Sequence, residues 1–490
     1  MRAVGRVLGP YGRANRPLTR IRERAMLSIT GGAACARSLH SSSSVKTSGS
    51  KSNSAKEENT STAERLRAST NTVASVLNSV FSAPSKIADA AFGSSAARSG
   101  NTMSGSKAFK DPLSLVAAEM TNLTNNIRQL LGSAHPTLDS AAKYYVQTQG
   151  KHIRPLLVLL MSKAVLKVPK SDHVSERYNV DESISPMDIL RDFNPAKVIS
   201  TIATTVSKSQ SSTFAESIVE PETGILPSQR RLAEITEMIH AASLLHDDVI
   251  DDAELRRGNL SGNSAFGNKM AILAGDFLLG RASVSLARLR NAEVTELIST
   301  VIANLVEGEV MQLKNTAPED SVTGVATPAT FDYYLDKTYL KTASLISKSC
   351  RSAAVLAGAR EDFVEYAYQY GRNLGMAFQI VDDLLDYTVT ETELGKPAGA
   401  DLQLGLATAP ALFAWKQYPE LGPMIRRKFS QPGDVKKARQ LVEISDGVEQ
   451  TRLLAKEYSE KARKALEAFP DSSAKEALLD MTTTVLKRKA

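Results

Sequence analysis

From Asp111 onward, apolar residues recur at the three- and four-residue spacing of a helix. The runs Leu113 to Leu131, Ser140 to Val146, Ile153 to Val168, Leu232 to Leu245 and Phe331 to Leu356 predict helices. No alternating apolar–polar stretch with a hairpin turn appears, and no segment repeats at a fixed period. The helical runs are long and strongly apolar, as in a bundle whose central helices are covered on most sides. The expected fold class is all-α, with one domain over residues 109–490 that opens at Asp111-Pro112, where proline suits a first helical turn.

Two stretches break the pattern. Residues 169–226 are polar and Ser/Thr-rich, with a weak helical pattern over Met187 to Ile202. They read as an insertion on the bundle surface. Residues 45–108 are rich in Ser, Ala, Asn and Lys. Such a segment buries too little apolar surface to offset its ordering entropy, so a disordered linker is expected, with one isolated helix around Leu77, Val80 and Phe81.

Charge changes the picture at the amino end. The 490-residue chain has a formal net charge of +7, which raises nucleic acid or an anionic membrane as partners. The first 56 residues carry eight Arg and three Lys against the single Glu23, a surplus of 10, so about −3 remains for everything else. Residues 1–44 hold all eight of those arginines and end in Ser41 to Ser44, without the apolar segment of a secretory signal. That composition is a mitochondrial transit peptide's, and it sets the expected localisation. With the basic character confined to this leader, no nucleic-acid partner is expected. Cys35 lies in the leader and Cys350 stands alone, which excludes a disulfide framework in the processed chain. No uninterrupted apolar run reaches the length of a membrane span.

Candidate chemistry concentrates in Leu244-Leu245-His246-Asp247-Asp248-Val249-Ile250-Asp251-Asp252, followed by Leu255-Arg256-Arg257-Gly258. On a helix Asp247 and Asp251 share one face. Clustered carboxylates each raise the cost of ionising the other. Magnesium prefers one or two carboxylates together with waters and substrate phosphates, and the two arginines suit phosphate oxygens. Alone, the stretch fits a solvated acidic helix end equally well. A second cluster weakens that alternative: Gln379, Asp382 and Asp386 share a face in Gly371 to Tyr387, where Gly371 and Gly375 also form a smooth strip open to a helix or a ligand. Two further features support anion binding. Gly150-Lys151-His152-Ile153-Arg154-Pro155 sits where a loop enters a helix, a place that favours anions. His240, two turns before Asp247, lies on the acidic face.

As a set, Gly150 to Pro155, Glu237 to His240, Asp247 to Gly258, Lys341-Thr342, Phe378 to Asp386 and Gly395-Lys396-Pro397 resemble the trans-isoprenyl diphosphate synthases in type and order. The chain is most similar to the mitochondrial long-chain enzymes that make the ubiquinone side chain. The resemblance covers about residues 109–490 and implies an isoprenoid-synthase-type helical bundle around a central cavity, with two facing Asp-rich helices. It implies Mg2+ held by Asp247, Asp251, Asp382 and Asp386. Lys151, Arg154, His240 and Arg257 would hold isopentenyl diphosphate. Arg256, Lys341, Thr342, Gln379 and Lys396 would hold an allylic diphosphate, farnesyl or geranylgeranyl. The family has arginine where this chain has His152, which removes one cationic contact.

The resemblance also implies a bend that lets Lys341 and Thr342 reach one site. Glu307, Glu309 and Gln312 would line the cavity. His246 adjoins the acids; it reads as a support behind them, with a metal ligand as the alternative. A homodimer or heteromer, peripheral to the inner membrane, fits the family. Ala242 and Ser243, five and four residues before Asp247, are small where shorter-chain relatives place an aromatic floor; they imply a long product, hexaprenyl or longer. Cyclases of the same fold lack the second basic site, and non-catalytic subunits lose the acidic clusters. This chain carries all of these features.

Overall fold

The structure, a computed structural model, describes residues 111–147, 152–171, 224–314, 326–388 and 399–488. The expected transit peptide, the linker, residues 172–223 of the insertion, Lys151 and Lys396 lie outside the described residues. The described chain is helical where the pattern predicts. In order it forms Ala117–Leu130 (α1), Pro136–Gln147 (α2), Ile153–Ala164 (α3), Pro227–Ile250 (α4), Gly262–Phe266 (α5), Asn268–Ala287 (α6), Ala292–Lys314 (α7), Pro328–Thr338 (α8), Ser344–Leu356 (α9), Glu361–Thr388 (α10), Ala400–Gln403 (α11), Ala409–Gln417 (α12), Leu421–Arg426 (α13), Asp434–Ile444 (α14), Gly447–Ala465 (α15) and Ser473–Leu486 (α16). The expected opening holds: Asp111 accepts a hydrogen bond from the Leu113 N–H at 3.2 Å, and Pro112 begins the 3-10 turn that leads into α1.

Two central helices carry the acidic clusters. α4 is enclosed by α3, α6 and α9, and α10 by α9 and α15. Both therefore bury long, nearly continuous stretches, Leu232 to Ile239 on α4 and Asn373 to Ala377 on α10. The glycine strip receives a helix and not a ligand. A Cβ on Gly371 would lie 2.8 Å from Ser347 Cα, and one on Gly375 would lie 2.8 Å from Ala343 Cα. Only bare glycine lets the backbones approach so closely. A second, smaller core around Trp415, Leu421, Ile425 and Phe429 closes the bundle beyond α10.

One expectation is corrected, and another stands. First, a hairpin exists: Leu255–Arg256 (β1) pairs antiparallel with Asn259–Leu260 (β2), with Arg256 opposite Asn259. Its turn residues, Arg257 and Gly258, have φ of 53° and 77°, as a two-residue primed turn requires. Strands of two residues are too short to show alternation, which is why the pattern hides them. Second, α6 is long and apolar enough to cross a membrane by length and composition. It packs on α4, α2 and α5. Lys269, Asp276 and Arg281 interrupt its sequence, and so the apolar residues never form an unbroken run.

Candidate active site

The first acidic cluster terminates α4. Asp251 caps it by donating its N–H to Asp247 O at 2.8 Å. Asp252 then turns left-handed at φ 49°, and Ala253 N–H reaches back to Asp248 O at 3.0 Å. This six-to-one bond closes the helix. It also places Asp247, Asp248, Asp251 and Asp252 at the negative end of the helix dipole, where carboxylates are disfavoured. Burial pushes the Asp247 carboxyl up to about 6; Lys341 opposes the rise, while Glu309 and Asp251 add to it. Asp251 is raised too, chiefly by burial. These are carboxylates short of positive charge.

Asp248 differs from Asp247. It is fully buried, and it accepts from the Tyr145 hydroxyl and from Arg256 Nε at 2.7 Å. The hairpin sets Arg256 in that position. His246 also turns from the acids: its Nε2 lies 3.2 Å from Ile272 O, against Gly275 on α6.

The second cluster lies in the last two turns of α10. Asp382 pairs with Arg488 Nη1 at 2.6 Å, and that guanidinium stacks on the Phe378 ring at 4.3 Å. Asp383 is buried against Tyr334. Asp386 has different partners from Asp382. Its two oxygens accept the Ala400 and Asp401 N–H groups at 3.1 and 3.2 Å, capping α11.

The bend expected at Lys341-Thr342 is a π turn, Tyr339–Ala343. Such a turn inserts a residue and re-aims its neighbours. Thr342 Oγ1 donates to Gln379 Oε1 at 2.8 Å, while Lys341 Nζ donates to Glu309 Oε2 at 2.5 Å. Gly308 makes room: a Cβ there would lie 2.8 Å from Lys341 N. Of the three residues expected to line the cavity, Glu309 binds Lys341, Gln312 lies 3.4 Å from Glu309, and Glu307 is exposed.

At the start of α3, His152 adopts φ 39°. Its Nδ1 meets Glu237 Oε1 at 2.9 Å, and Arg154 Nη1 donates to His240 Nε2 at 2.9 Å. Burial and the neighbouring Arg154 hold His240 well below the usual imidazole range, so it is neutral and accepts that bond. Burial opposes ionisation of Glu237, yet the His152 bond and the neighbouring Arg154 charge bring it down to about 2. Arg154 feels the charges of Asp382 and Arg257, which brings the basic group and both acidic helices to one region. Arg154 Nε is buried with no hydrogen-bond partner among the described residues. His152, Asp252 and Arg257, all within the expected motifs, have positive φ, and such backbone strain commonly marks function.

Ala242 and Ser243 part company. Ser243 lies on the Asp247 face, is half-buried and donates to His240 O at 2.9 Å, whereas Ala242 is fully buried. Sequence reasoning missed Tyr145, Tyr334 and Arg488. The two tyrosines read as core residues, and Arg488 as one basic residue of a tail.

Comparison with known proteins bears on this arrangement. A family model described as "Polyprenyl synthetase" matches residues 206–442. A "Probable hexaprenyl pyrophosphate synthase, mitochondrial" of Neurospora crassa is 62% identical over 383 residues, 77% of this chain and 82% of the relative. One of the same name from Yarrowia lipolytica is 55% identical over 396 residues, 78% and 85% of the two chains. A crystal structure of polyprenyl synthase from Caulobacter crescentus, complexed with calcium and isoprenyl diphosphate, superposes with a TM-score of 0.60 at 26% identity, covering 77% of this chain and 97% of that one. The family model spans the helices that carry both acidic clusters, and the chain belongs to the polyprenyl synthetase family of prenyl-elongating transferases.

Proposed function

We propose that this chain adds isopentenyl diphosphate units to a farnesyl or geranylgeranyl diphosphate starter. The product would be a polyprenyl diphosphate of hexaprenyl length or longer for the ubiquinone side chain. The observation that carries this reading is the pair Asp247 and Asp251, charge-starved at the negative end of α4 and within the fields of Lys341 and Arg256. The donor set fits magnesium. Among the described residues no three acidic, histidine or cysteine groups form a metal cage of their own, and magnesium takes few carboxylates when phosphates complete its shell. Asp247, Asp251 and Asp382 would hold it; Asp386 is engaged by α11. Bound there, magnesium would neutralise the leaving diphosphate.

The chain's own groups supply the rest. Arg256, Lys341, Thr342 and Gln379, with Lys396, receive the allylic diphosphate and stabilise the charge that develops on it. Arg154, His240 and Arg257, with Lys151, hold isopentenyl diphosphate so that its double bond attacks the allylic carbon. The buried Arg154 Nε donor suits an anionic oxygen. His240 contributes a hydrogen bond and not a charge. Apolar walls would exclude water from the allylic cation, and the proton lost afterwards would go to the released diphosphate. Incubating the protein with magnesium, labelled isopentenyl diphosphate and farnesyl diphosphate tests this: long labelled polyprenyl products are expected, and their absence would reject it.

Arg154→Ala should raise the KM for isopentenyl diphosphate about tenfold or more, by the loss of a charge-assisted bond. The KM for the allylic substrate should barely move. A rise confined to the allylic KM would refute the division of the two sites.

The leader and the assembly are part of the same proposal. Deleting residues 1–44 should abolish mitochondrial import and leave catalysis intact; matrix localisation of the truncated protein would refute the transit reading. Exposed Ile272 and Leu273 on α6, with Val306, Val310 and Leu313 on α7, form apolar faces suited to a second subunit. Light scattering should give a dimer mass for the wild type and a monomer mass for Leu273→Glu. A monomeric wild type would contradict this.

A further inference from the structure

The two acidic clusters are built on one plan. In each, the outer aspartate, Asp247 or Asp382, is half-exposed, while the residue that follows it is buried and bonded to a tyrosine from another helix. Asp248 Oδ2 accepts from Tyr145 of α2, and its Oδ1 binds Arg256 through Nε at 2.7 Å and Nη2 at 2.5 Å. Tyr145 is itself fixed, because its hydroxyl accepts the Gly262 N–H at 2.7 Å. Asp383 Oδ2 accepts from Tyr334 of α8 at 2.6 Å, and its Oδ1 accepts from Gln379 Nε2 at 2.9 Å. That bond leaves the Gln379 carbonyl oxygen to accept from Thr342 at 2.8 Å. The nearby ammonium of Lys337, also buried, offsets the charge of Asp383.

We propose that Asp248 and Asp383, each locked by its tyrosine, are positioning residues for the leaving diphosphate: Asp248 aims Arg256, and Asp383 sets the amide of Gln379 toward Thr342. The chemistry of the two anchors supports this. A carboxylate presents two oxygens in a fixed plane. With one oxygen held by a phenol, the other fixes the angle at which a guanidinium or amide leaves the cluster. A buried carboxylate bonded in this way has no oxygen facing the site, so these two groups orient side chains and do not ligate a cation. The proposal rests on the reading that Arg256, Thr342 and Gln379 receive the allylic diphosphate.

The test is a double-mutant cycle. Tyr145→Phe should raise the KM for the allylic diphosphate about tenfold. The magnesium concentration for half-maximal rate and the KM for isopentenyl diphosphate should stay unchanged. In an Arg256→Ala background, where the allylic KM is already raised, Tyr145→Phe should add nothing, because its effect passes through that arginine. Tyr334→Phe should behave in the same way against Gln379→Ala. Asp248→Asn is the stronger lesion; Tyr145→Phe, which removes a single oxygen, serves if the asparagine variant does not fold. Additive effects of Tyr145→Phe and Arg256→Ala would reduce the anchors to general packing and overturn the proposal. So would a raised magnesium requirement in Asp248→Asn, which would make Asp248 a ligand. If Arg256→Ala alone leaves the allylic KM at its wild-type value, the assignment of the diphosphate site falls, and this proposal falls with it.

Discussion

Replacing Asp247 by alanine should lower turnover by about 10³-fold or more and leave the protein folded. The carboxylate sits half-exposed at the negative end of α4, beside Asp251 and within the field of Glu309. Its side chain makes no hydrogen bond among the described residues; burial, Glu309 and Asp251 oppose its ionisation, and Lys341 only partly offsets them. Its removal relieves a helix-dipole conflict worth about 0.3–1 kcal/mol, so the variant should melt no lower than the wild type. The chemical step would lose the proposed metal anchor, and Asp248 could not replace it, since it is buried against Tyr145 and Arg256. Steady-state rates at saturating magnesium, read alongside thermal melting, check this. A near wild-type rate would remove Asp247 from the mechanism.

The second large effect concerns product length. Ser243 is four residues before Asp247 on the same helical face, and it is half-buried. In the proposed mechanism, a tail that grows away from the metal ions and down α4 would pass over it. Ser243→Phe should place a floor there, and the products should fall from hexaprenyl or longer to about geranylgeranyl length. Ala242→Phe is a different case. Ala242 is fully buried, so a phenylalanine there overpacks the core at a cost of about 1–3 kcal/mol. Chromatography of dephosphorylated products, with melting curves for both variants, separates the two positions. Unchanged product length in an active Ser243→Phe enzyme would show that length is set elsewhere.

Much of this site is legible in the sequence because helical periodicity carries it. A spacing of four residues is enough to place Asp247 with Asp251, and the apolar runs on either side place both clusters on buried helices. The rest depends on where the chain returns. Asp386 is claimed by amides 14 and 15 residues later. Lys341 meets Glu309 across 32 residues, and Arg488 reaches Asp382 across 106. No local pattern encodes such meetings. The hairpin that aims Arg256 is hidden for another reason. Its turn puts an arginine, not the usual asparagine or aspartate, at positive φ, and its strands are too short to alternate. The π turn lies between. A lysine and a threonine side by side cannot share one face of a regular helix, so the requirement for a bend is visible, while its form is not.

The most direct test of the central claim is to locate the metal. Crystals grown with Mn2+ in place of Mg2+, together with a thiolodiphosphate analogue of farnesyl diphosphate that resists ionisation, would give anomalous scattering peaks at each ion. Peaks should lie on Asp247 and Asp251 on one side and on Asp382 on the other, all bridged by the analogue's diphosphate, with Asp248 and Asp383 still on their tyrosines. Metal bound away from these carboxylates, or a diphosphate seated without touching either acidic helix, would contradict the account.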